Sequence, residues 1–168
     1  MFKIAFLGPE SSGKTTLAEE MGNQLDAIVI KEYAREYFKD KDYSKCCLKD
    51  LEAIAIKQFK DTHDSYPYDF LISDTEILTI EIWAEDKFGV VPEIILNLRR
   101  QQDFDLYILT KPDIPWEFDP LRKDANRRDY LFEIYKEHIE KSNYNYIIVE
   151  GLFNNRIEVI KNYIDNYV

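Results

Sequence analysis

The sequence predicts a three-layer α/β fold in which a five-stranded parallel sheet is flanked by helices. Five short, nearly unbroken apolar runs are separated by longer segments with helical spacing. Such runs are typical of strands buried on both faces, as in a parallel sheet. The regular alternation of strand and helix favours a wound α/β domain. A chain of 168 residues is long enough to form one domain with a sizeable core.

The predicted elements follow one another in a regular order along the chain. The apolar runs predict strands at 2–7 (FKIAFL), 27–30 (AIVI), 70–73 (FLIS), 106–110 (LYILT) and 146–150 (YIIVE). Apolar residues spaced three and four apart predict helices at 14–25, 47–63, 75–87, 92–101, 126–141 and 153–168. Ligands of such sheets bind at the carboxyl ends of the strands. The binding site is therefore expected in the loops 8–13, 31–36, 74–76, 110–128 and 151–156.

Composition and charge argue against several classes of protein. The formal net charge of −10 disfavours nucleic acid and anionic membranes as partners. The two cysteines, Cys46 and Cys47, are adjacent, which excludes a disulfide framework and indicates a reducing cytoplasm. The N-terminus lacks the layout of a signal peptide, and no apolar run approaches the ~18 residues that span a membrane. We therefore predict a cytoplasmic protein with no nucleic-acid or membrane partner; the sequence does not indicate its oligomeric state.

A phosphate-binding loop follows the first predicted strand. Residues 8–15 match the motif G-x-x-x-x-G-K-S/T, whose glycines let the backbone N–H groups point at phosphate oxygens. The next helix adds its positive end. Lys14 is expected to bind the β- and γ-phosphates of ATP, and the Thr15 hydroxyl is expected to bind Mg²⁺. The residues predicted to bind the nucleotide here are Gly8, Glu10, Ser11, Ser12, Gly13, Lys14, Thr15 and Thr16.

An acidic residue follows the third predicted strand. Asp74 has the position of a Walker B carboxylate, which holds Mg²⁺ through water. The alternative is that Asp74 caps the helix that begins at Thr75. The phosphate loop needs an acidic partner for the metal, which favours the first interpretation.

A cluster of cations lies after the fourth predicted strand, in a segment rich in proline. Arg122, Lys123, Arg127 and Arg128 lie within seven residues of a strongly acidic chain. We interpret 111–128 as a lid whose arginines close over a transferring phosphoryl group, offset its charge and exclude water. Arg122, Arg127 and Arg128 are thus predicted to be catalytic. The alternative is a solvated basic turn before a helix.

A guanine-nucleotide switch is the competing interpretation of these motifs. Thr110, Lys111, Pro112 and Asp113 match the pattern N/T-K-x-D of such proteins and directly follow a predicted strand. The aspartate of a switch is normally followed by x-x-Gly, however, and Asp74 is not. The arginine cluster favours a kinase.

The loop after the second predicted strand is expected to face the phosphate acceptor. Glu32 and Arg35 lie on the same side of a starting helix. Glu32 can bind sugar hydroxyls and accept the proton of the attacking one, although Asp74 is an alternative base. The other interpretation of Glu32 and Arg35 is an exposed ion pair. Trp83 is predicted to pack in the core, and for Trp116 packing and stacking on a ligand ring remain equally open.

The combined motifs resemble the nicotinamide riboside kinase domain of the NadR type. They are G-P-E-S-S-G-K-T-T, E-Y-A-R-E-Y, S-D-T-E, D-I-P-W followed by D-P-L-R, and a late G with N-R, and they span residues 4–156. The resemblance implies a P-loop nucleoside-kinase fold and ATP-dependent phosphorylation of the 5′-hydroxyl of nicotinamide riboside to the mononucleotide. It also implies that Glu32, Tyr33 and Arg35 belong to the acceptor loop, that Asp74 is the Walker B acid, that Arg122 is the arginine at the lid entry, and that Arg156 lies near the nucleotide base. Asp74 and, if its ring stacks on the ligand, Trp116 complete the candidate substrate contacts.

Several departures from the family pattern bear on the substrate. Lys31 stands where some members have a tryptophan that can stack on the nicotinamide ring. A cation beside a pyridinium is unfavourable, so another nucleoside remains an alternative acceptor. Glu76 replaces the usual aspartate, and Pro120 replaces a glycine in the lid entry. The first strand begins at the N-terminus, from which a single kinase domain over residues 1–168 without an adenylyltransferase domain is expected.

Overall fold

The computed structural model describes residues 1–117 and 126–167. The strands are β1 (Phe2–Leu7), β2 (Ile28–Ile30), β3 (Phe70–Asp74), β4 (Leu106–Thr110) and β5 (Tyr146–Val149). The helices are α1 (Lys14–Leu25), α2 (Tyr33–Tyr37), α3 (Leu48–His63), α4 (Ile77–Phe88), α5 (Glu93–Arg100), α6 (Arg128–Lys141) and α7 (Phe153–Tyr167), with a short 3₁₀ turn at Tyr43–Lys45. All five predicted strands and all six predicted helices are present, and α2 and the 3₁₀ turn are additional.

The five strands form one parallel sheet in the order β2-β3-β1-β4-β5. The central strand β1 pairs with β3 and β4, so that Ile4 lies opposite Ile72 on one side and Leu106 on the other. Because every pairing is parallel, the carboxyl ends of all strands lie at one edge. The predicted fold class is confirmed.

The core has two halves because side chains alternate across β1. Ile4 and Phe6 pack against α1 and α7 on one face of the sheet, whereas Ala5 and Leu7 pack against α4 and α6 on the other. A third apolar cluster joins α2, α3, α4 and α5 beyond the edge of the sheet. This outer cluster packs helix α2, which follows strand β2, against α4.

The start of α4 differs from the sequence prediction. Strand β3 continues through Asp74, and Thr75 adopts a left-handed conformation with φ +80° before the extended residue Glu76 caps the helix. A β-branched residue is strained in that region. The helix therefore begins at Ile77, and Asp74 is not its N-cap. The carboxylate of Asp74 is left for another partner.

Two expectations from composition can be compared with the structure. Cys46 and Cys47 are free thiols, one buried and one exposed. Within residues 1–117 and 126–167, no helix is both long enough and apolar enough to cross a membrane.

Candidate active site

A cavity of about 610 Å³ lies at the carboxyl edge of the sheet. Its size is in the range of small-molecule sites. The walls come from the loop 8–16, the start of α2, one face of α4, the segment 114–117 and the start of α6. The cavity therefore joins most of the loops that were predicted to form the site.

The loop before α1 is shaped by close backbone contacts. Gly8 has φ +136°, and a Cβ there would lie 2.5 Å from the Thr110 hydroxyl, so no side chain fits. Ser12 donates to the carbonyl of Pro9 at 2.8 Å. The Lys14 ammonium donates to the carbonyls of Gly8 and Pro9 at 2.8 and 2.7 Å. These contacts hold the Lys14 ammonium within the loop.

Thr15 and Asp74 form a polar pair beside this loop. The Thr15 hydroxyl donates to Asp74 Oδ2 at 2.7 Å. Asp74 is 3% exposed, and its Oδ1 is buried without a hydrogen-bond partner in the described structure. Burial raises the pKa of Asp74, while the Thr15 hydrogen bond and the charges of Lys14 and Arg35 oppose that rise. A hydroxyl beside a buried carboxylate with a spare oxygen fits a hydrated Mg²⁺.

The predicted acceptor residues separate into two groups. Glu32 and Arg35 both line the cavity, and Arg35 Nε donates to Glu32 Oε2 at 3.0 Å. Tyr33 does not line the cavity: its ring packs edge-on against Tyr37 in the outer cluster. The turn of α2 thus brings residues 32 and 35, but not 33, to the cavity wall, and contact of Tyr33 with the substrate stays a prediction.

Gln58 on α3 is a buried link that the sequence reasoning did not assign to the site. It is 2% exposed, and its Oε1 accepts the N–H of Tyr33 at 2.9 Å. Its Nε2 donates to the Ser73 hydroxyl at 3.3 Å, and this hydroxyl donates to the Thr75 carbonyl at 2.5 Å. The chain of bonds connects the Glu32 loop to the end of β3. The sequence signal for this role was a polar side chain, Gln58, at a position on the otherwise apolar face of α3.

One face of α4 forms a long wall of the cavity. Thr79, Ile82, Trp83, Asp86 and Lys87 line it. Trp83 also packs in the outer cluster, as predicted, and its ring stacks on that of Tyr43 at 5.6 Å between centroids. Neither Tyr43 nor Trp83 was expected to line the site.

Lys31 lies away from the cavity. Its side chain is 78% exposed, and its ammonium lies 3.6 Å from Glu19 on α1. Lys31 is not among the residues that line the cavity, so its charge does not argue against a pyridinium ring as the acceptor. Lys87, in the last turn of α4, is a lysine that does line the cavity.

The lid residues are only partly described. Arg122 lies outside the described residues. Arg127 lines the cavity and forms an ion pair with Asp86. Arg128 donates to the carbonyls of Ser11 and Ile114, both at 3.0 Å, and so joins the phosphate loop to the segment after β4.

Trp116 does not line the cavity, although its neighbours do. Ile114, Pro115 and Glu117 form that part of the wall. The described arrangement therefore favours packing over ligand stacking for Trp116.

Arg156 lies behind the phosphate loop. It is 2% exposed and donates to the carbonyls of Ser12, Gly151 and Lys111 at 2.7, 2.9 and 3.0 Å. It also forms an ion pair with Asp113. Its guanidinium thus packs behind the phosphate loop, bonded to Ser12 of that loop, and contact with the nucleotide stays a prediction.

The same contacts bear on the guanine-switch interpretation. Asp113 accepts the N–H of Gly151 at 2.6 Å and pairs with Arg156. Thr110 is buried under the phosphate loop, and its hydroxyl donates to the Leu7 carbonyl at 2.9 Å. The residues of the T-K-P-D stretch thus serve the loop's scaffold, and Asp113 is not presented to a base.

We expect Arg156→Ala to lower the free energy of unfolding by about 3 kcal/mol, because the change leaves Asp113 and three carbonyls without their partner. Urea denaturation measures the loss. Arg100→Ala is the matched control, since the Arg100 side chain is 66% exposed. Equal, small losses in both variants would contradict the assigned support role.

Glu76 is a second buried carboxyl, and it faces away from the cavity. It is fully buried, and neither carboxyl oxygen has a hydrogen-bond partner in the described structure. Burial raises the pKa of Glu76, and the nearby charge of Arg99 and the peptide groups at the start of α4 offset only part of this rise. The folded protein therefore holds this proton more tightly than the unfolded chain does.

Glu76→Gln is expected to become more stable relative to wild type as the pH rises. The raised pKa contributes stability below the unfolded pKa of glutamate, and this stability is lost as the pH increases through the folded pKa. Glutamine does not titrate, so the variant escapes the loss. Urea unfolding at pH 5 and pH 8 measures the difference in free energy of unfolding between the variant and wild type. Glu85→Gln, at an exposed position on the same helix, is the control. A variant that falls further below wild type at pH 8 than at pH 5 would disprove the expectation.

Comparison with known proteins identifies the family. A sequence model described as an AAA domain matches residues 3–156. The chain belongs to this family. It is also 28% identical over 175 residues to the trifunctional NAD biosynthesis/regulator protein NadR of Salmonella typhimurium, over 94% of this chain and 42% of that protein. The predicted resemblance to NadR is confirmed. This AAA-domain chain spans less than half the length of that relative.

Solved structures show the same fold. The NadR protein in complex with NR superposes with a TM-score of 0.81 at 16% identity, over 99% of this chain and 50% of that one. The deoxyadenosine kinase from M. mycoides, solved with the products dCMP and a flexible dCDP, superposes with a TM-score of 0.71 at 18% identity, over 98% of this chain and all of that one. The AAA-domain chain therefore shares its fold with nucleoside kinases.

Proposed function

We propose that this AAA-domain chain is an ATP-dependent nucleoside kinase that phosphorylates the 5′-hydroxyl of nicotinamide riboside to give nicotinamide mononucleotide. The observation that carries the proposal is that one cavity holds a formed phosphate loop with Lys14 and Thr15 at one end and the Glu32–Arg35 pair with an aromatic wall at the other. The relatedness to NadR and the likeness to the NR complex support the choice of acceptor.

Each of these residues has a separate role in an in-line phosphoryl transfer. Lys14 binds the β- and γ-phosphate oxygens, while Thr15 and, through water, Asp74 hold Mg²⁺, which offsets phosphate charge when bound. Glu32 accepts the proton as the 5′-oxygen attacks the γ-phosphorus, and the bond from that phosphorus to the β,γ-bridging oxygen breaks to release ADP. Glu32 is the preferred base because Asp74 would be occupied with Mg²⁺ beside Thr15.

The last part of the proposal assigns roles to the arginines of the segment from β4 to the start of α6. Arg127 exchanges its ion pair with Asp86 for the transferring phosphoryl group, and Arg122, which lies outside the described residues, is assigned the same role. Arg128 holds the loop carbonyl of Ser11 and so positions the phosphate site rather than contacting the reacting atoms.

A purine or pyrimidine nucleoside is the second candidate acceptor. The deoxyadenosine kinase covers nearly the whole of this chain, and Lys87 adds a cation to the acceptor end of the cavity, which a pyridinium does not favour. A nucleotide-binding regulator without kinase activity is disfavoured by the engagement of Asp113 with Arg156.

A panel of ribosides incubated with Mg·ATP tests the acceptor. We expect ADP formation and a 5′-phosphorylated product with nicotinamide riboside at a higher kcat/KM than with adenosine, deoxyadenosine, uridine or cytidine. Preferred phosphorylation of one of the four nucleosides would refute the nicotinamide assignment. Retention of GTP through purification, with no riboside phosphorylated, would refute the kinase assignment.

A further inference from the structure

The acceptor end of the cavity contains a lysine that the proposed chemistry does not use. Lys87 lies in the last turn of α4 and lines the cavity. The other cations of the wall are engaged: Lys14 with loop carbonyls, Arg35 with Glu32, and Arg127 with Asp86. Among residues 1–117 and 126–167, no carboxylate lies within ion-pair distance of the Lys87 ammonium. The protein thus supplies no counter-charge for it in the described structure.

Lys87 lies at the end of α4 that is distant from the Thr15–Asp74 pair, since Asp74 comes just before the start of this helix. Thr79, Trp83 and Lys87 are spaced four apart and share one face of α4 along the cavity. Eight residues of helix span about 12 Å, so Lys87 lies about that far along the wall from the Thr79 level. A riboside whose 5′-hydroxyl reaches the phosphate loop therefore extends its base towards Lys87.

An aromatic platform adjoins this lysine. The rings of Tyr43 and Trp83 are stacked and both line the cavity. The Lys87 ammonium lies 5.0 Å from the centroid of the Tyr43 ring. A planar base that packs on these rings would thus bring its ring substituent close to the ammonium.

The one thiol beside Lys87 does not neutralise it. Burial raises the pKa of Cys46, and the charge of Lys87 and its hydrogen bond to the thiol lower this pKa by less, so the thiol stays protonated at neutral pH and carries no charge to offset that of the ammonium. Asp50 also acts on Cys46, but its carboxylate accepts hydrogen bonds from Tyr37 and from the N–H of Cys47. The ammonium is left available to a ligand.

We propose that Lys87 selects acceptors whose base carries an anionic group, so that the nicotinic acid analogue of nicotinamide riboside is a better substrate than the amide. This inference rests on the proposed riboside kinase function. The pyridinium of the amide has a net positive charge, which Lys87 repels. The carboxylate of the acid analogue cancels that charge and accepts a charge-assisted hydrogen bond from the ammonium. The phosphoryl transfer itself is the same for both acceptors.

Steady-state kinetics with the two ribosides at fixed Mg·ATP test the inference. We expect the wild type to favour the acid in kcat/KM by about ten- to a hundredfold, the usual range for a hydrogen bond to a charged group. Lys87→Met should bring the ratio to about one or below, chiefly through the KM of the acid, and Lys87→Glu should reverse the preference. Lys87→Arg should retain it, because the charge is kept.

The controls separate this inference from the proposed function. Lys31→Met removes a lysine outside the cavity and should leave the ratio of kcat/KM values as in wild type. A wild type that uses the amide as well as the acid, or a preference that survives in Lys87→Met, overturns the role of Lys87 and leaves the riboside kinase assignment intact. Failure to phosphorylate either riboside overturns the proposed function, and this inference with it. Thermal melts show whether each variant is folded.

Discussion

Lys14→Ala is expected to lower kcat/KM by at least about a thousandfold, with a melting temperature close to that of wild type. The ammonium lies within the phosphate loop, where it is positioned to offset charge on the transferring phosphoryl group. The carbonyls of Gly8 and Pro9, to which it donates, belong to residues that line the cavity and can bind water in its absence. Initial rates of ADP formation and a thermal melt measure the two effects.

The control for this change is Lys111→Ala. Lys111 is half exposed and pairs with Glu150 on the far side of the loop that contains Asp113. It carries the same charge and lies outside the cavity wall, so its loss should alter kcat/KM by less than about threefold. A Lys14→Ala enzyme with unchanged turnover would end the kinase hypothesis.

Glu32→Gln is expected to lower kcat by about 10²–10⁴-fold, the usual contribution of a general base. Glutamine keeps the shape and the bond to Arg35 but cannot accept a proton. The limb of the pH–rate profile that reports the base should disappear in the variant. Initial rates across a pH series at saturating substrate measure both effects.

Two further variants identify the base. Glu36→Gln is the matched control, since Glu36 lies on the same helix with its side chain exposed. Asp74→Asn should raise the Mg²⁺ concentration needed for half-maximal rate, whereas Glu32→Gln should not. If Asp74→Asn alone abolishes the pH limb while Glu32→Gln retains it, Asp74 is the base instead.

Two sets of hydrogen bonds connect loops that line the cavity or lie beside it. Gln58 bonds to the Tyr33 N–H beside Glu32 and to Ser73, whose hydroxyl holds the Thr75 carbonyl. Arg128 joins Ser11 of the phosphate loop to Ile114. Each contact is buried or half-buried, and those of Gln58 and Arg128 join residues that lie far apart in the sequence.

The phosphate site was predictable because its chemistry is local. Nine consecutive residues contain the glycines, the lysine and the threonine, and helix α1 begins and ends at Lys14 and Leu25, as the apolar spacing predicts. Asp74 was predictable for a similar reason, since it directly follows a buried strand. The strained turn at Thr75 was not, because nothing in a β-branched residue signals a positive φ.

The roles of the cations could not be read from the sequence. Lys31, Lys87, Arg128 and Arg156 carry the same kind of charge, but only Lys87 among them lines the cavity. Arg156 is drawn inward because four acceptors converge behind the loop, and these come from residues far apart in the chain. Lys31 points to α1 because the chain leaves β2 on that side.

The sequence alone determined the alternation of strand and helix, the phosphate loop and the acidic end of β3. Each of these depends on residues within one short segment, whose apolar pattern or motif specifies its conformation. Only the tertiary structure decided the order β2-β3-β1-β4-β5, the stacking of Tyr43 on Trp83 in the cavity wall, and the fact that Lys87 lines the cavity whereas Lys31 does not. These features depend on packing between distant segments, which the local sequence pattern does not specify.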